Sequence, residues 1–173
     1  YKDGSGFLIM KYILQETSDR SGKPVHWAYM RLSEIMLDYA EAINEAGGGP
    51  DATALKMVND IRSRVGLKGI EAAGVDKAAF REIILREKAM ELGFEQVRWF
   101  DLVRHNRKED FTKPLYGLRS KGNDLKAPTA FTFEKFALAE RYWQKNWDSK
   151  WYFVPIPEDE INKKYGMTQN PGW

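Results

Sequence analysis

From Arg31 onward, apolar residues recur at Leu32, Ile35, Met36, Tyr39, Ala40 and Ile43, the spacing of one face of an α-helix. The run stops at "GGGP", residues 47–50, where glycines and a proline cannot continue it. Pro50 suits the first turn of a second helix with the apolar stripe Leu55, Val58, Ile61 and Val65, which Gly66 ends. These two helices predict a hairpin over about residues 31–65. Asp76 is a good N-cap for a third helix through "KAAFREIILREKAMEL", because its side chain accepts from free N–H groups of the first turn. Gly93 weakens that helix, and "FEQVRWFDLVRH" resumes helical spacing as a fourth. A second hairpin is therefore expected over about residues 76–104.

The flanking segments lack this period. "GFLIMKYIL" near the start is rich in strand-favouring residues and predicts a short strand or extended arm, followed by a loop in "QETSDRSGKP". Residues 105–150 are irregular: "TKPLYGLRSKGNDLKAPTA" has loop composition, and "RYWQKNWDSKWYF" is aromatic and charged. In the last stretch, residues 155–173, Pro157 stands before acidic residues and opens a short terminal helix. The tail "YGMTQNPGW" has turn chemistry and ends on a large ring. The expected fold is a mainly α single unit: helical hairpins, an irregular loop-rich segment and little strand.

Composition narrows the function more than the fold. With 43% hydrophobic and 30% charged residues, the 173-residue chain has a globular balance, and no run reaches the ~20 apolar residues of a membrane helix. The net charge of +2, from 27 Lys and Arg against 25 Asp and Glu, gives no strong field toward phosphate, so nucleic acid is not an expected partner. There is no Cys, and the two histidines, His26 and His105, are far apart. No transition-metal site follows. Ser120 and Ser149 belong to no nucleophile pattern, and the glycine clusters lack the Lys and Ser or Thr of a phosphate loop. "KGNDLK" offers oxygen ligands for a hard cation but does not fit the calcium loop. No catalytic residue, metal or cofactor is expected. The start at Tyr1, without initiator Met or signal sequence, is read as a processed protein or a fragment.

"MELGFEQVRWFDLVRHN", residues 90–106, mixes acids, arginines and large apolar residues. On a wheel at about 100° per residue, Phe80, Ile84, Glu87, Glu91 and Arg98 fall in one narrow sector, bordered by Ile83, Phe94 and Glu95. A carboxylate on an apolar face loses hydration and needs a paired, hydrogen-bonded partner. Arg98 can supply one, as can Arg62 and Arg64 on the preceding helix. Two readings compete: Glu87 and Glu91 as a carboxylate pair for glycosidic hydrolysis, or the six residues Glu87, Glu91, Glu95, Arg62, Arg64 and Arg98 as a structural ion network. The second is favoured, because arginine keeps a carboxylate charged and a general acid must hold its proton.

Tyr142, Trp143, Trp147, Trp151 and Tyr152 lie beside Gln144, Asn146 and Asp148. Such rings stack on the apolar face of a sugar while the polar side chains bond its hydroxyls. Rings of this size more often cover helices and fill a core. Tyr142, Trp143 and Trp147 are the candidates for a ligand role, with Trp143 and Trp147 four apart and able to share one face of a helical turn.

The ordered set "RLSEIMLDYAEAINEAG", "VNDIRSRVGL", "ILREKAMELGFEQVRWFDLVRH" and "WYFVPIPEDEINKKYGMTQNPGW" resembles the C-terminal part of SusD/RagB-like proteins, and "GFLIMKYIL" resembles the segment before it. Two positions depart from that family's pattern: Lys88 stands where it has Arg, and Gln96 where it has Gly. Lysine lacks the planar fork that grips a carboxylate, and glutamine stiffens a permissive position. The resemblance implies tetratricopeptide-like hairpins in a non-enzymatic lipoprotein on the extracellular face of the outer membrane. It also implies capture of glycans or other nutrients over a TonB-dependent, SusC-like transporter, with the anchoring Cys and the N-terminal half outside this chain. A tetratricopeptide-like scaffold that binds only protein is the alternative.

Overall fold

A computed structural model of the chain describes Lys11, residues 28–124 and residues 129–173. The arm read over "GFLIMKYIL", apart from Lys11, the loop after it and His26 lie outside the described residues. The protein is mainly helical and divides into two compact units, one over Leu14–Asp101 and the other built around Leu102–Trp173.

In the first unit α1 (Leu32–Ala46) packs against both α2 (Ala52–Arg64) and α3 (Lys77–Glu91). Each helix ends where local chemistry stops it. Gly47 ends α1, and its N–H reaches the Ile43 carbonyl. Asp51 caps α2 by accepting from the Ala54 N–H at 2.7 Å, so Pro50 lies before the cap rather than in the first turn, and Asp76 caps α3 by accepting from the Ala79 N–H at 2.8 Å. Gly66, at φ +74°, turns the chain out of α2 in the left-handed region that glycine tolerates.

The core comprises Leu37, Ala40, Ala54, Val58, Ile61, Phe80 and Ile84. Phe80 alone is worth about 1.5–3 kcal/mol on burial. The face that α1 buries is not its most apolar one. Ser33, Leu37, Ala40, Glu41 and Asn44 point inward, Met36 and Ile43 are half-buried, and Leu32, Ile35 and Tyr39 are exposed. Small Ala40 permits close approach to the neighbouring helices, and Asn44 fixes the rotation by donating to the Lys77 carbonyl at 2.9 Å.

After α3 the chain does not simply kink at Gly93. Phe94 and Gln96 both take positive φ, +64° and +67°, and α4 (Val97–Arg104) begins only after them. Side chains beyond Glu91 therefore leave the α3 wheel, and the common sector drawn from Phe80 to Arg98 is broken by this turn.

The second unit contains structure where the sequence reads as loop. A short helix α5 (Lys108–Thr112) is followed by β1 (Tyr116–Gly122) and β2 (Phe131–Ala137), paired antiparallel with Ser120 opposite Phe133. Then come α6 (Tyr142–Lys145), a 3-10 turn (Ser149–Tyr152) and α7 (Glu158–Asn162), which follows Pro157 and carries three acids in its first turn. The tail folds back on this stretch. The Gln169 amide donates to the Ile156 carbonyl at 2.9 Å and accepts its N–H at 2.8 Å. Asn170 donates to the Val154 carbonyl at 2.6 Å, and the Trp173 indole N–H is shared between the carbonyls of Lys150 and Phe153 at 3.1 and 3.0 Å. Among the described residues, no helix is long and apolar enough to cross a membrane.

Candidate functional site

Two clusters concentrate the polar chemistry of the first unit. At the start of α1 the Arg31 guanidinium bridges to the end of α3. Its Nη1 donates to Glu91 Oε1 at 2.9 Å, its Nη2 to the Glu91 main-chain carbonyl at 2.9 Å, and its Nε to Glu95 Oε2 at 2.8 Å. That carbonyl is one of the last of α3, which have no partner inside the helix. Arg31 therefore closes α3 while pairing both acids. Arg64, at the end of α2, donates to both Glu91 oxygens at 2.6 Å. Arg62 pairs with Glu87 and sends its Nε to the Lys68 carbonyl at 2.8 Å.

The structure thus brings together Glu87, Glu91, Glu95, Arg62 and Arg64. Arg98, which the turn at 92–96 takes off the α3 wheel, donates to the Leu85 carbonyl of α3 at 3.1 Å. Arg31, 60 and 64 positions from its partners, carries no local signal and is absent from the sequence reading. Burial alone would raise the Glu91 pKa, but hydrogen bonding from Arg31 and the charges of Arg64 and Arg31 hold it below the ordinary carboxylate range. A carboxyl so held is not the proton donor that glycosidic cleavage needs.

The second cluster centres on Lys88, which is 3% exposed. Its ammonium lies 2.5 Å from Asp38, 2.9 Å from Asp101 and 3.5 Å from Glu41. Desolvation would lower its pKa, yet the hydrogen bonds it donates to Asp38 and Asp101, with their negative charges, outweigh that and leave it raised. Three separate carboxylates suit a compact point charge with three donors better than a planar fork. Lysine at this position is therefore matched by its surroundings.

An open hollow of about 260 Å³ lies beside the first cluster, lined by Arg31, Leu32, Ser33, Met36, Asp60, Ile61 and Arg64. Both of its guanidiniums are already engaged by Glu91 and Glu95, so it offers an anion no uncommitted cation.

In the second unit the rings do not form one stripe. α6 ends at Lys145, so Trp143 and Trp147 do not share a helical face. Trp147 stacks on Phe111 with centroids 4.8 Å apart and meets the edges of Trp151 and Tyr152 at 5.7 and 5.2 Å. Tyr142 lies tilted, 6.1 Å from Trp151, and is 71% exposed; Trp143 is 45% exposed. Gln144 spends its amide on the Lys113 carbonyl at 2.7 Å, and Asn146 bonds the Tyr142 carbonyl at 3.0 Å. Of the three candidate rings, Tyr142 and Trp143 present open faces, and Trp147 holds α5 to the turn. Phe111, in a loop-like sequence context, was missed.

The chain matches the model of the SusD family over residues 2–173. It is 28% identical over 152 residues to SusD-like protein P2 of Formosa agariphila, covering 83% of this chain and 25% of that protein. It is 33% identical over 95 residues to SusD-like protein P38 of the same organism, covering 51% of this chain and 18% of that protein. The crystal structure of a SusD-like protein from Bacteroides fragilis superposes with a TM-score of 0.65 at 33% identity, over 85% of this chain and 26% of that one. A SusD homolog from Bacteroides thetaiotaomicron, at 24% identity, shares the fold with a TM-score of 0.61 over 95% of this chain and 30% of its own. The chain spans a quarter or less of the length of the curated relatives it matches.

Proposed function

Since the chain belongs to the SusD family, we propose that it forms part of a cell-surface protein that binds glycans or other nutrients and passes them to a SusC-like, TonB-dependent transporter in the outer membrane. The observation that carries this reading is the family match over residues 2–173, which takes in the charge clusters and the rings together. In this reading the whole protein sits on the extracellular face of the outer membrane through a lipid anchor, and it binds its ligand without cleaving it. The first unit serves as framework: Arg31, Arg62, Arg64 and the buried Lys88 are engaged by its own acids, which commits their charge within the fold. The open faces of Tyr142 and Trp143 are where this chain would meet a sugar, by stacking against the apolar face of a pyranose.

Sugar affinity requires several convergent polar groups held in one geometry. Gln144 and Asn146, the nearest amides, are committed to backbone carbonyls. The isolated chain should therefore bind oligosaccharides weakly or not at all, while the complete protein binds them. Calorimetric titration of both with an oligosaccharide panel tests this, with chromatography of the mixture to detect products. Binding by the complete protein without product release supports the reading. Association with protein partners but with no sugar would instead favour a tetratricopeptide-like scaffold, and release of shorter sugars would make it an enzyme.

A further inference from the structure

Tyr142 and Trp143 stand on α6, a helix of only four residues. A single turn does not hold its own shape, because it fixes several backbone dihedrals for each hydrogen bond it gains. The direction of the two rings is therefore set by side chains that tie the turn to its surroundings. Past the end of α6, Trp147 stacks on Phe111 of α5 with centroids 4.8 Å apart. Asn146 returns both its amide and its main-chain N–H to the Tyr142 carbonyl at 3.0 Å. That closes the turn but does not orient it against α5.

The second tie is Gln144, half-buried between exposed neighbours. Its Oε1 accepts the Arg141 N–H at 2.5 Å, the reach back to the residue before the helix that fixes how the chain enters it. Its Nε2 donates to the Lys113 carbonyl at 2.7 Å, 31 positions earlier. Lys113 is the residue that ends α5, so one amide joins the start of α6 to the end of α5 across the whole β1–β2 hairpin. With the Trp147 stack alone, α6 could swing about that contact, and Tyr142 and Trp143 lie on the side that Gln144 pins. Recognition surfaces need their side chains held to within about 10–20° of the productive geometry.

We infer that Gln144 is the positioning residue for the Tyr142 and Trp143 rings: it sets sugar affinity through them and touches no sugar itself. This rests on the reading that those rings stack on a pyranose. A double-mutant cycle in the complete protein tests it, by calorimetric titration with the sugar bound most tightly on a glycan array. Tyr142→Ala with Trp143→Ala should weaken binding about tenfold or more. Gln144→Met keeps the side-chain length without either hydrogen bond and should weaken binding about tenfold when the rings are present. In the variant that already lacks the rings it should change binding by less than about twofold. Gln144→Glu still accepts from the Arg141 N–H but cannot donate to the Lys113 carbonyl, so a smaller loss of about threefold is expected. It keeps the test open if Gln144→Met does not fold, which circular dichroism at the titration temperature checks. An equal loss from Gln144→Met with and without the rings overturns the inference, because the amide would then meet the sugar directly. Loss from the ring variant but from neither Gln144 variant overturns it and leaves the ring reading standing. No loss from the ring variant, or no sugar bound at all, overturns the ring reading and the inference with it.

Discussion

The two units are held by opposite means. The first, over Leu14–Asp101, buries a small core and completes it with ion pairs that are among its least exposed groups: Glu87, Lys88, Asp101 and Glu41 are all within 6% exposure. The second places few described side chains fully inside. It is joined by half-exposed rings around Trp147 and by a tail whose side chains bind backbone carbonyls. Charge follows the same division, net −3 over residues 14–101, with 12 Lys and Arg against 15 Asp and Glu, and net +4 over residues 102–173. A buried ion pair fixes geometry because breaking it strands a charge. A ring cluster and a tail clamp cost less to disturb, which suits the surface where a ligand would bind.

The largest predicted effect falls on the first unit. Lys88→Ala leaves three carboxylates facing one another and should cost about 3–5 kcal/mol, measured as a lowered denaturant midpoint. A loss under 1 kcal/mol would mean that water reaches this cluster. The pKa shifts give the same unit a pH window. Glu91 has a lowered folded pKa, so its stabilisation is complete above the ordinary carboxylate range and fades as pH falls through the folded value. Lys88 has a raised one, so its stabilisation is complete below the ordinary lysine range and fades as pH rises through its folded value. Unfolding followed from acid to alkali should show a plateau between those limits, and Glu91→Gln should flatten its acid edge.

A smaller effect is expected in the second unit. Trp173→Ala removes the indole N–H shared by two carbonyls and the ring beneath the Lys150 ammonium at 4.6 Å, and should cost about 2 kcal/mol. The near-ultraviolet signal of the Trp147 cluster should fall with it, because the 3-10 turn that carries Trp151 and Tyr152 is what the tail holds. The smallest effect has the opposite sign. Gln96 sits at φ +67°, so Gln96→Gly should raise stability by about 1 kcal/mol, read as a higher melting temperature.

The sequence contained the periods of the first three helices, the Asp76 cap and the pairing of Glu87 and Glu91 with arginines, because each depends on neighbours within a turn or on one obvious charge complement. It did not contain which face of α1 goes inward. Leu32, Ile35 and Tyr39 outweigh Ala40 and Asn44 in hydrophobicity, but the rotation is decided by close helix approach and by the bond to the Lys77 carbonyl. The β1–β2 hairpin was hidden because its strands alternate poorly and pair across a loop. Arg31 was hidden because its acids lie more than half the described helical unit away in sequence. At Gln96 the departure from the glycine of the family pattern falls on a left-handed residue, so the position that resemblance marked as permissive is permissive in backbone terms.

The central claim is that the Glu91 cluster holds the fold and takes no part in ligand handling. Glu91→Gln in the complete protein, with thermal unfolding and oligosaccharide titration measured on the same sample, tests it most directly. The account predicts a clear loss of stability with glycan affinity unchanged at temperatures where the variant remains folded. Unchanged stability together with lost sugar binding, or with the loss of a product-forming activity present in the parent, would contradict it.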